Sequence, residues 1–222
     1  LIETGSDSHS GGTYVYLGRL VMNTVGTDTG GTLQAVLSGT FGQAVVGGNG
    51  GYLGTVDIQD TLQPGAGGKP STFEAGTLDG EGGSYFIFGL GATNTIGGGV
   101  NDLVQVDGNM SAFVNVVINP LAGALEGNST YRLINYGSSS GMDFTLQTPT
   151  IGRERLAIDT GTAGQVNLTV SGEPASLVWN NASGNGLWDV QSSGNWTNAT
   201  SAVGADKFYD GDSVLFDDSI TN

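Results

Sequence analysis

The chain has 222 residues, of which 40 are Gly, 37% are hydrophobic and only 12% are charged. Six Lys and Arg against 21 Asp and Glu give a formal net charge of −15, which disfavours nucleic acid as a partner because phosphate backbones are repelled. The hydrophobic fraction excludes a disordered chain, and the absence of a Gly-X-Y period excludes collagen.

Short alternating runs, rather than helical periodicity, occur along the whole chain. In chain order the predicted strands are Thr13–Leu17, Thr32–Leu37, Tyr52–Ile58, Ser84–Phe88, Leu103–Val106, Val114–Ile118, Thr130–Ile134, Arg155–Ile158, Gln165–Val170 and Ser213–Phe216. Clusters of Gly, Asn, Asp and Ser separate these runs, which indicates an all-β protein.

The joints between the strands favour a right-handed parallel β-helix, with a β-sandwich as the alternative. Gly-rich joints such as residues 47–51 and 97–99 permit the sharp turns that a solenoid needs. Low charge fits as well, because each coil of a stack is covered above and below. No strict sequence period is visible.

The middle of the chain resembles the β-helical passenger regions of bacterial autotransporters. The residues that carry this resemblance lie between positions 50 and 137 and include Leu62-Gln-Pro-Gly65, the apolar strand Tyr85–Phe88, Asn101-Asp-Leu-Val-Gln-Val-Asp-Gly108 and Gly127–Ile134. The resemblance implies a bacterial protein that is secreted or displayed on the cell surface. We predict that residues 1–175 form passenger-like β-helical rungs.

The C-terminal segment resembles a second element of the same family, the passenger-associated transport repeat, over residues 176–219. It contains Trp179-Asn180, Gly186-Leu-Trp-Asp189, Gly194-Asn-Trp196, Phe208, Asp210-Gly-Asp212 and Val214-Leu-Phe-Asp-Asp218. Leu187 is an insertion in the usual Gly-Asn-Trp-Asp step. The resemblance implies that residues 176–222 form a scaffold element that continues the β-helix.

All three tryptophans lie in this segment, where they could serve either as structural anchors or as a platform for sugars. Burial of a Trp ring removes a large apolar area from water and can order a loop that is otherwise poor in apolar groups. We therefore predict that the large rings of this segment are structural anchors, namely Trp179, Trp188, Trp196, Phe208 and Phe216.

No metal or cofactor site is expected. The acidic residues Asp206, Asp210, Asp212, Asp217 and Asp218 could hold Ca²⁺, but neither the EF-hand pattern nor the nonapeptide of Ca²⁺-binding β-rolls is present. A turn role for Asp210-Gly211 is preferred.

An enzyme is not expected either, because no catalytic motif is present. The lone His9 is interpreted as a solvated loop residue, and Glu154, between Arg153 and Arg155, as a member of a surface ion pair.

Three functions stay open at this point. The first is a structural β-solenoid that builds a surface stalk or a head-to-tail filament. The second is an adhesin or glycan-binding passenger with exposed aromatic residues such as Tyr14, Tyr16, Tyr52 and Trp188. The third, a carbohydrate-active enzyme, is the least favoured.

Self-association end to end is the expected partnership, surface glycans are a further candidate, and no membrane span is expected. Strand-like sequence near both ends suggests open rungs that recruit other chains. The chain begins with Leu and shows no signal peptide, so we expect a processed fragment or an excised segment.

Overall fold

A computed structural model describes residues 1–4, 11–23, 31–37 and 43–217. His9 and Asp218 lie outside the described residues. The strands are β1 Ile2–Glu3, β2 Thr13–Val15, β3 Gly18–Met22, β4 Thr32–Ala35, β5 Ala44–Gly47, β6 Gly50–Ile58, β7 Thr61–Leu62, β8 Thr72–Gly80, β9 Tyr85–Leu90, β10 Leu103–Pro120, β11 Thr130–Leu146, β12 Thr150–Ile151, β13 Glu154–Asp159, β14 Gln165–Ser171, β15 Ser176–Trp179, β16 Trp196–Asn198 and β17 Ser213–Leu215.

The chain folds as a right-handed parallel β-helix, which confirms the predicted fold class. Two parallel ladders run along the stack, one through β1, β3, β5, β7 and β9 and the other through β2, β4, β6 and β8. Both ladders meet on β10, whose first half pairs with β8 and whose second half pairs with β9. The described residues contain a single 3₁₀ turn, Pro64–Gly67, and no α-helix.

The interior of the β-helix consists of stacked apolar columns. In one column the residues paired from rung to rung are Leu33, Val56, Leu78 and Met110, and all four are buried. Along β10, from Met110 to Ile118, buried positions alternate with more exposed ones, as expected for a strand with one face in the core. Burial of each large apolar side chain stabilises the fold by roughly 1.5–3 kcal/mol.

Two polar residues at the start of β10 connect successive rungs. Asp102 is 1% exposed and accepts hydrogen bonds from the backbone N–H of Ser71 at 2.8 Å and of Gly89 at 2.7 Å, both in the preceding rung. The side-chain amide of Asn101 donates to the carbonyl oxygens of Thr93 and Thr95. The Asn-Asp pair of the passenger-like motif therefore closes a loop and joins two coils.

Glycines form a column where successive rungs approach each other too closely for a side chain. A Cβ atom added at Gly76 would lie 1.8 Å from the carbonyl oxygen of Leu53. An added Cβ at Gly108 would lie 2.7 Å from the carbonyl oxygen of Gly76, and one at Gly137 would lie 2.3 Å from that of Asp107. The register of the ladders shifts at the same level, between Tyr52 and Thr55 and again after Val106. The column therefore fixes where each rung bends.

The parallel stack ends at β11, where the pairing becomes antiparallel. The first part of β11 pairs with β14, and β13 and β12 follow in the same antiparallel sheet. The next three strands form a separate sheet in the order β16-β15-β17. The sequence predicts that residues 176–222 continue the β-helix; in the structure their described strands pair with one another, and the division into two domains stays a prediction.

Candidate functional site

The C-terminal segment brings the five aromatic residues singled out in the sequence into one cluster. Trp196, on β16, lies at its centre, with the ring centroids of Trp179, Trp188, Phe208 and Phe216 between 4.9 and 6.1 Å from its own. Three of these contacts are edge-to-face, the arrangement that the charge distribution of aromatic rings favours. The rings thus give a small separate core to a segment that is poor in aliphatic residues.

Burial differs sharply within this aromatic cluster. Trp196 is 0% exposed, whereas Trp188 is 54% and Phe216 is 53% exposed. Trp179 and Phe208 are intermediate and pack against buried Ala175, Leu177 and Trp196. The cluster thus combines a fully buried ring, Trp196, with an accessible apolar surface formed by Trp188 and Phe216. The anchoring role of the five residues stays a prediction.

Asparagine side chains close the loops that surround the cluster. Asn195 is 0% exposed, and its side-chain oxygen accepts hydrogen bonds from the backbone N–H and the hydroxyl of Ser183. Its amide donates to the side-chain oxygen of Asn185 at 2.6 Å and to the carbonyl oxygen of Leu187 at 2.9 Å. Asn198 accepts from two backbone N–H groups of the following turn. The turn residues between the tryptophans therefore hold the rings in position.

A buried ion pair joins the C-terminal segment to the β-helix. The Nε atom of Arg153 lies 2.9 Å from one oxygen of Asp212 and 3.0 Å from the other, and the Asp212 side chain is 0% exposed. Asp212 also accepts from the backbone N–H of Ala175 at 2.8 Å and of Tyr209 at 2.9 Å. The same guanidinium contacts Asp206 at 3.2 Å, donates to the carbonyl oxygen of Lys207 and lies 4.6 Å from the centroid of the Tyr209 ring.

The charges in this junction stabilise one another. Burial opposes the charge on Arg153, but the hydrogen bonds and charges of Asp212 and Asp206 outweigh it and raise the pKa of the guanidinium. Burial likewise opposes the charge on Asp206, but hydrogen bonds from Asn198 and the Lys207 N–H, together with Arg153, lower the pKa of that carboxyl. Both groups are therefore charged at neutral pH.

Glu154 does not form the predicted surface ion pair. It is 1% exposed, one carboxylate oxygen accepts from the backbone N–H of Leu125 at 3.2 Å, and the other has no hydrogen-bond partner among the described residues. Burial raises the pKa of the carboxyl. Successive side chains of a strand point to opposite faces, so Glu154 and Leu156 face the interior while Arg155 faces outward.

The other candidates from the sequence fall in different places. Tyr52 is 2% exposed inside the β-helix, which removes it as a residue of an accessible aromatic groove. Tyr14 and Tyr16 are exposed and stack with a centroid distance of 6.3 Å. Gly211 adopts a left-handed φ of 95° within the turn after Asp210, whereas both oxygens of Asp212 are occupied by Arg153 and backbone N–H groups.

Within the described ranges, no group of three or more His, Cys, Asp and Glu side chains is placed to hold a metal ion. Within the same ranges, no helix has the length and the apolar character needed to cross a bilayer.

No sequence pattern indicates the Arg153–Asp212 pair, whose members are 59 positions apart. Arg153 stands beside Glu154 and close to Arg155, a pattern typical of a solvated surface, and Asp212 belongs to an Asp-Gly-Asp turn. Arg153 reaches the C-terminal segment from the turn between β12 and β13. A tertiary contact of this kind has no local sequence signal.

Comparison with known proteins relates the chain to an autotransporter. Over 143 residues it is 34% identical to the protein named Adhesin BmaC autotransporter of Brucella suis biovar 1 (strain 1330). The matched region is 59% of this chain but 4% of that protein, so the chain spans only a small part of this relative. No protein-family model matches the chain, and the passenger-associated transport repeat stays a prediction.

Proposed function

We propose that the chain is a β-helical passenger segment of a bacterial cell-surface adhesin and that its role is structural and adhesive, not enzymatic. The observation that carries this proposal is the similarity to an autotransporter adhesin over 59% of the chain. The parallel β-helix supports it, because stacked rungs make a stiff rod that can carry a binding surface away from a cell.

The outer faces of the β-helix fit a structural role in water. Polar side chains on neighbouring rungs bond to each other along the stack, as in the hydroxyl pair of Thr77 and Thr55 at 3.0 Å and the amide pair of Gln147 and Asn115 at 2.9 Å. Each such bond contributes only about 0.5–1.5 kcal/mol, but ladders of them reinforce the register. These polar pairs thus link neighbouring rungs on the outer face of the β-helix.

Adhesion is tested with fluorescent beads that carry the 222-residue protein. We expect these beads to attach to cultured animal cells more than beads coated with albumin, as measured by flow cytometry, and soluble protein to compete with attachment. Attachment at the albumin level, on several cell types, would defeat the adhesin proposal.

End-to-end association of separate copies is a second proposed function, supported by strands at both ends of the described stack that have a described strand on one side only. Among the described strands, β1 pairs only with β3 and β2 only with β4. At the other end, residues 138–146 of β11 pair with β10 on one side, and no described strand covers the other. Open edges recruit strands, and contacts between two different ends that do not close give a filament.

Electron microscopy combined with mass spectrometry of denatured material tests this association. We expect short rods that dissociate to the mass of one chain and re-form on refolding. Ile2→Lys and Tyr16→Lys, at positions 63% and 61% exposed, should shorten the rods, whereas Phe113→Lys, at a 49% exposed position on the side of the stack, should not. A monomer at high concentration contradicts the filament and leaves the adhesin proposal standing.

A further inference from the structure

A polar pocket lies where the β12–β13 hairpin meets the C-terminal segment. Its volume is about 400 Å³, and its lining includes Thr150, Arg155, Gln191 and Tyr209. This volume is within the range of small-molecule sites in proteins, and it is the size of site that one or two sugar rings occupy. It is separate from the aromatic cluster around Trp196.

The hairpin places two of the lining side chains next to each other. Thr150 on β12 and Arg155 on β13 are direct antiparallel partners. Directly opposite residues project to the same face of a sheet, and Arg155 is exposed on the outer face while its neighbours Glu154 and Leu156 are buried. The guanidinium and the hydroxyl therefore face the pocket from one rigid element.

The opposite wall is held by the junction between the two parts of the chain. Gly152, with a φ of 54°, lies so close to the C-terminal segment that an added Cβ would be 2.3 Å from the carbonyl oxygen of Asp210. Gln191 is fixed by a 2.8 Å hydrogen bond from its N–H to the carbonyl oxygen of Phe208. Tyr209 is fixed by its contact with Arg153 and by its N–H bond to Asp212. The pocket is therefore formed before any ligand arrives.

The pocket contains unused hydrogen-bonding groups and one uncompensated positive charge. Within the part of the chain that the structure describes, the side chains of Thr150, Arg155 and Gln191 have no hydrogen-bond or ion-pair partner. Arg153, by contrast, is paired with the carboxylates of both Asp206 and Asp212. Glu154 also lines the pocket, but it is 1% exposed and one of its carboxylate oxygens accepts from the Leu125 N–H. In a chain of net charge −15, a free guanidinium beside a hydroxyl and an amide is an exception.

We propose that this pocket binds a sugar residue that carries a carboxylate, such as a hexuronate, within a surface glycan. Arg155 holds the carboxylate, because the planar guanidinium matches its two oxygens, and Thr150 and Gln191 bond to ring hydroxyls. The net negative charge of the protein does not prevent this, since charges separated by more than about 8 Å are largely screened at physiological salt. The proposal rests on the proposed adhesin function and names the ligand class.

Titration of the isotope-labelled protein, followed by amide chemical shifts, tests the pocket. The probes are methyl glucuronide and methyl glucoside, which differ in the carboxylate. We expect the glucuronide to shift the amides of Thr150, Arg155 and Gln191 and to bind at least about tenfold more tightly than the glucoside. Arg155→Gln should weaken glucuronide binding by about tenfold or more, because the charge-assisted hydrogen bonds of the guanidinium to the carboxylate are lost, and should leave glucoside binding unchanged.

Lys69→Gln is the matched control, because it removes the same charge from an exposed position that does not line this pocket. If Lys69→Gln weakens glucuronide binding as much as Arg155→Gln does, the attraction is a general charge effect and the site is wrong. Equal affinity for the two probes, or shifts confined to other surfaces, also overturns it. Cell attachment that fails while glucuronide binding persists refutes the adhesin function alone; the reverse result refutes the pocket alone.

Discussion

At the scale of single residues, Trp196 and Trp188 differ in how much stability they contribute. Trp196 is 0% and Trp188 is 54% exposed. We expect Trp196→Ala to lower the free energy of unfolding of the C-terminal segment by about 3–5 kcal/mol, because a large cavity replaces the ring. Trp188→Ala should cost no more than about 2 kcal/mol, since water already reaches half of that ring.

Urea denaturation followed by near-ultraviolet circular dichroism measures both changes, with Phe113→Ala on the β-helix as the control. Equal destabilisation by the two Trp substitutions would contradict the burial argument. If Trp188→Ala instead abolishes binding to immobilised glycans and leaves stability intact, the exposed ring acts as a sugar platform.

Glu154 makes the stability of the fold depend on pH with a sign that is unusual for a carboxylate. Burial raises the pKa of its carboxyl above the ordinary value of 4.5. The folded state therefore binds the proton more tightly than the unfolded state, so this contribution to stability is fully present below pH 4.5 and is lost as the pH rises through the folded pKa. We expect Glu154→Gln to be more stable than the parent by about 1 kcal/mol at pH 8, because an unpaired buried charge is removed.

Denaturation midpoints between pH 5 and pH 8 measure this effect, and the advantage of Glu154→Gln should shrink toward pH 5. Glu173→Gln is the control, since it removes the same charge from an exposed position. If both variants gain the same stability, the gain comes from the lower net charge of the protein and not from the burial of Glu154. A parent that is more stable than Glu154→Gln at pH 8 would contradict the proposed cost of burial.

At the scale of the elements, the glycine column sets the distance between rungs. A Cβ at position 76 would lie 1.8 Å from a backbone oxygen, which cannot move without shifting the neighbouring rung. We expect Gly76→Ala to lower the free energy of unfolding by about 1–3 kcal/mol, the usual cost of overpacking. Gly82→Ala, where nothing lies within 4 Å of the added atom, should change it by less than about 0.5 kcal/mol. Thermal unfolding followed by circular dichroism at 218 nm distinguishes the two variants. Similar melting temperatures would refute the close approach of the rungs at Gly76.

The β-helix could be predicted from the sequence because its strands keep a period of two between Gly-rich joints. The rung boundaries could not. Val45 pairs with Thr61, whereas Leu78 pairs with Met110, so rungs differ in length by roughly twofold and no repeat is visible. The runs Leu103–Val106 and Val114–Ile118 belong to one strand, β10, because the ladder continues through an irregularity around Gly108.

The candidate sites were predictable only where they are local in sequence. The five rings lie within about 40 residues of a segment with few other apolar groups, so their association follows from the need to bury them. Arg155 has no such signal: its chemistry depends on Thr150 across a hairpin and on Gln191, which lies in the loop between β15 and β16. The inward direction of Glu154 likewise follows from strand alternation once the strand is placed, but the adjacent arginines suggested a surface.

At the scale of the whole molecule, the Arg153–Asp212 pair couples the β-helix to the C-terminal segment. Removal of one member leaves the other charge buried, which typically costs 3–5 kcal/mol. We therefore expect Arg153→Met to destabilise residues 176–217 while the stacked rungs between β4 and β10 keep their stability. Hydrogen exchange should show faster exchange at the amides of Trp196 and Asn198 and unchanged exchange at those of Val56 and Val104.

The double variant Arg153→Met/Asp212→Asn separates charge from packing. The N–H groups of Ala175 and Tyr209 bond to different oxygens of Asp212, so the single side-chain oxygen of Asn can keep only one of these hydrogen bonds, but it leaves no buried charge behind. Exchange at Trp196 should therefore recover part of its protection in the double variant, because no unpaired charge stays buried while one backbone N–H loses its acceptor. If the single variant already exchanges like the parent, the ion pair does not couple the two parts. If exchange accelerates equally at Val56, the C-terminal segment and the β-helix unfold as one unit.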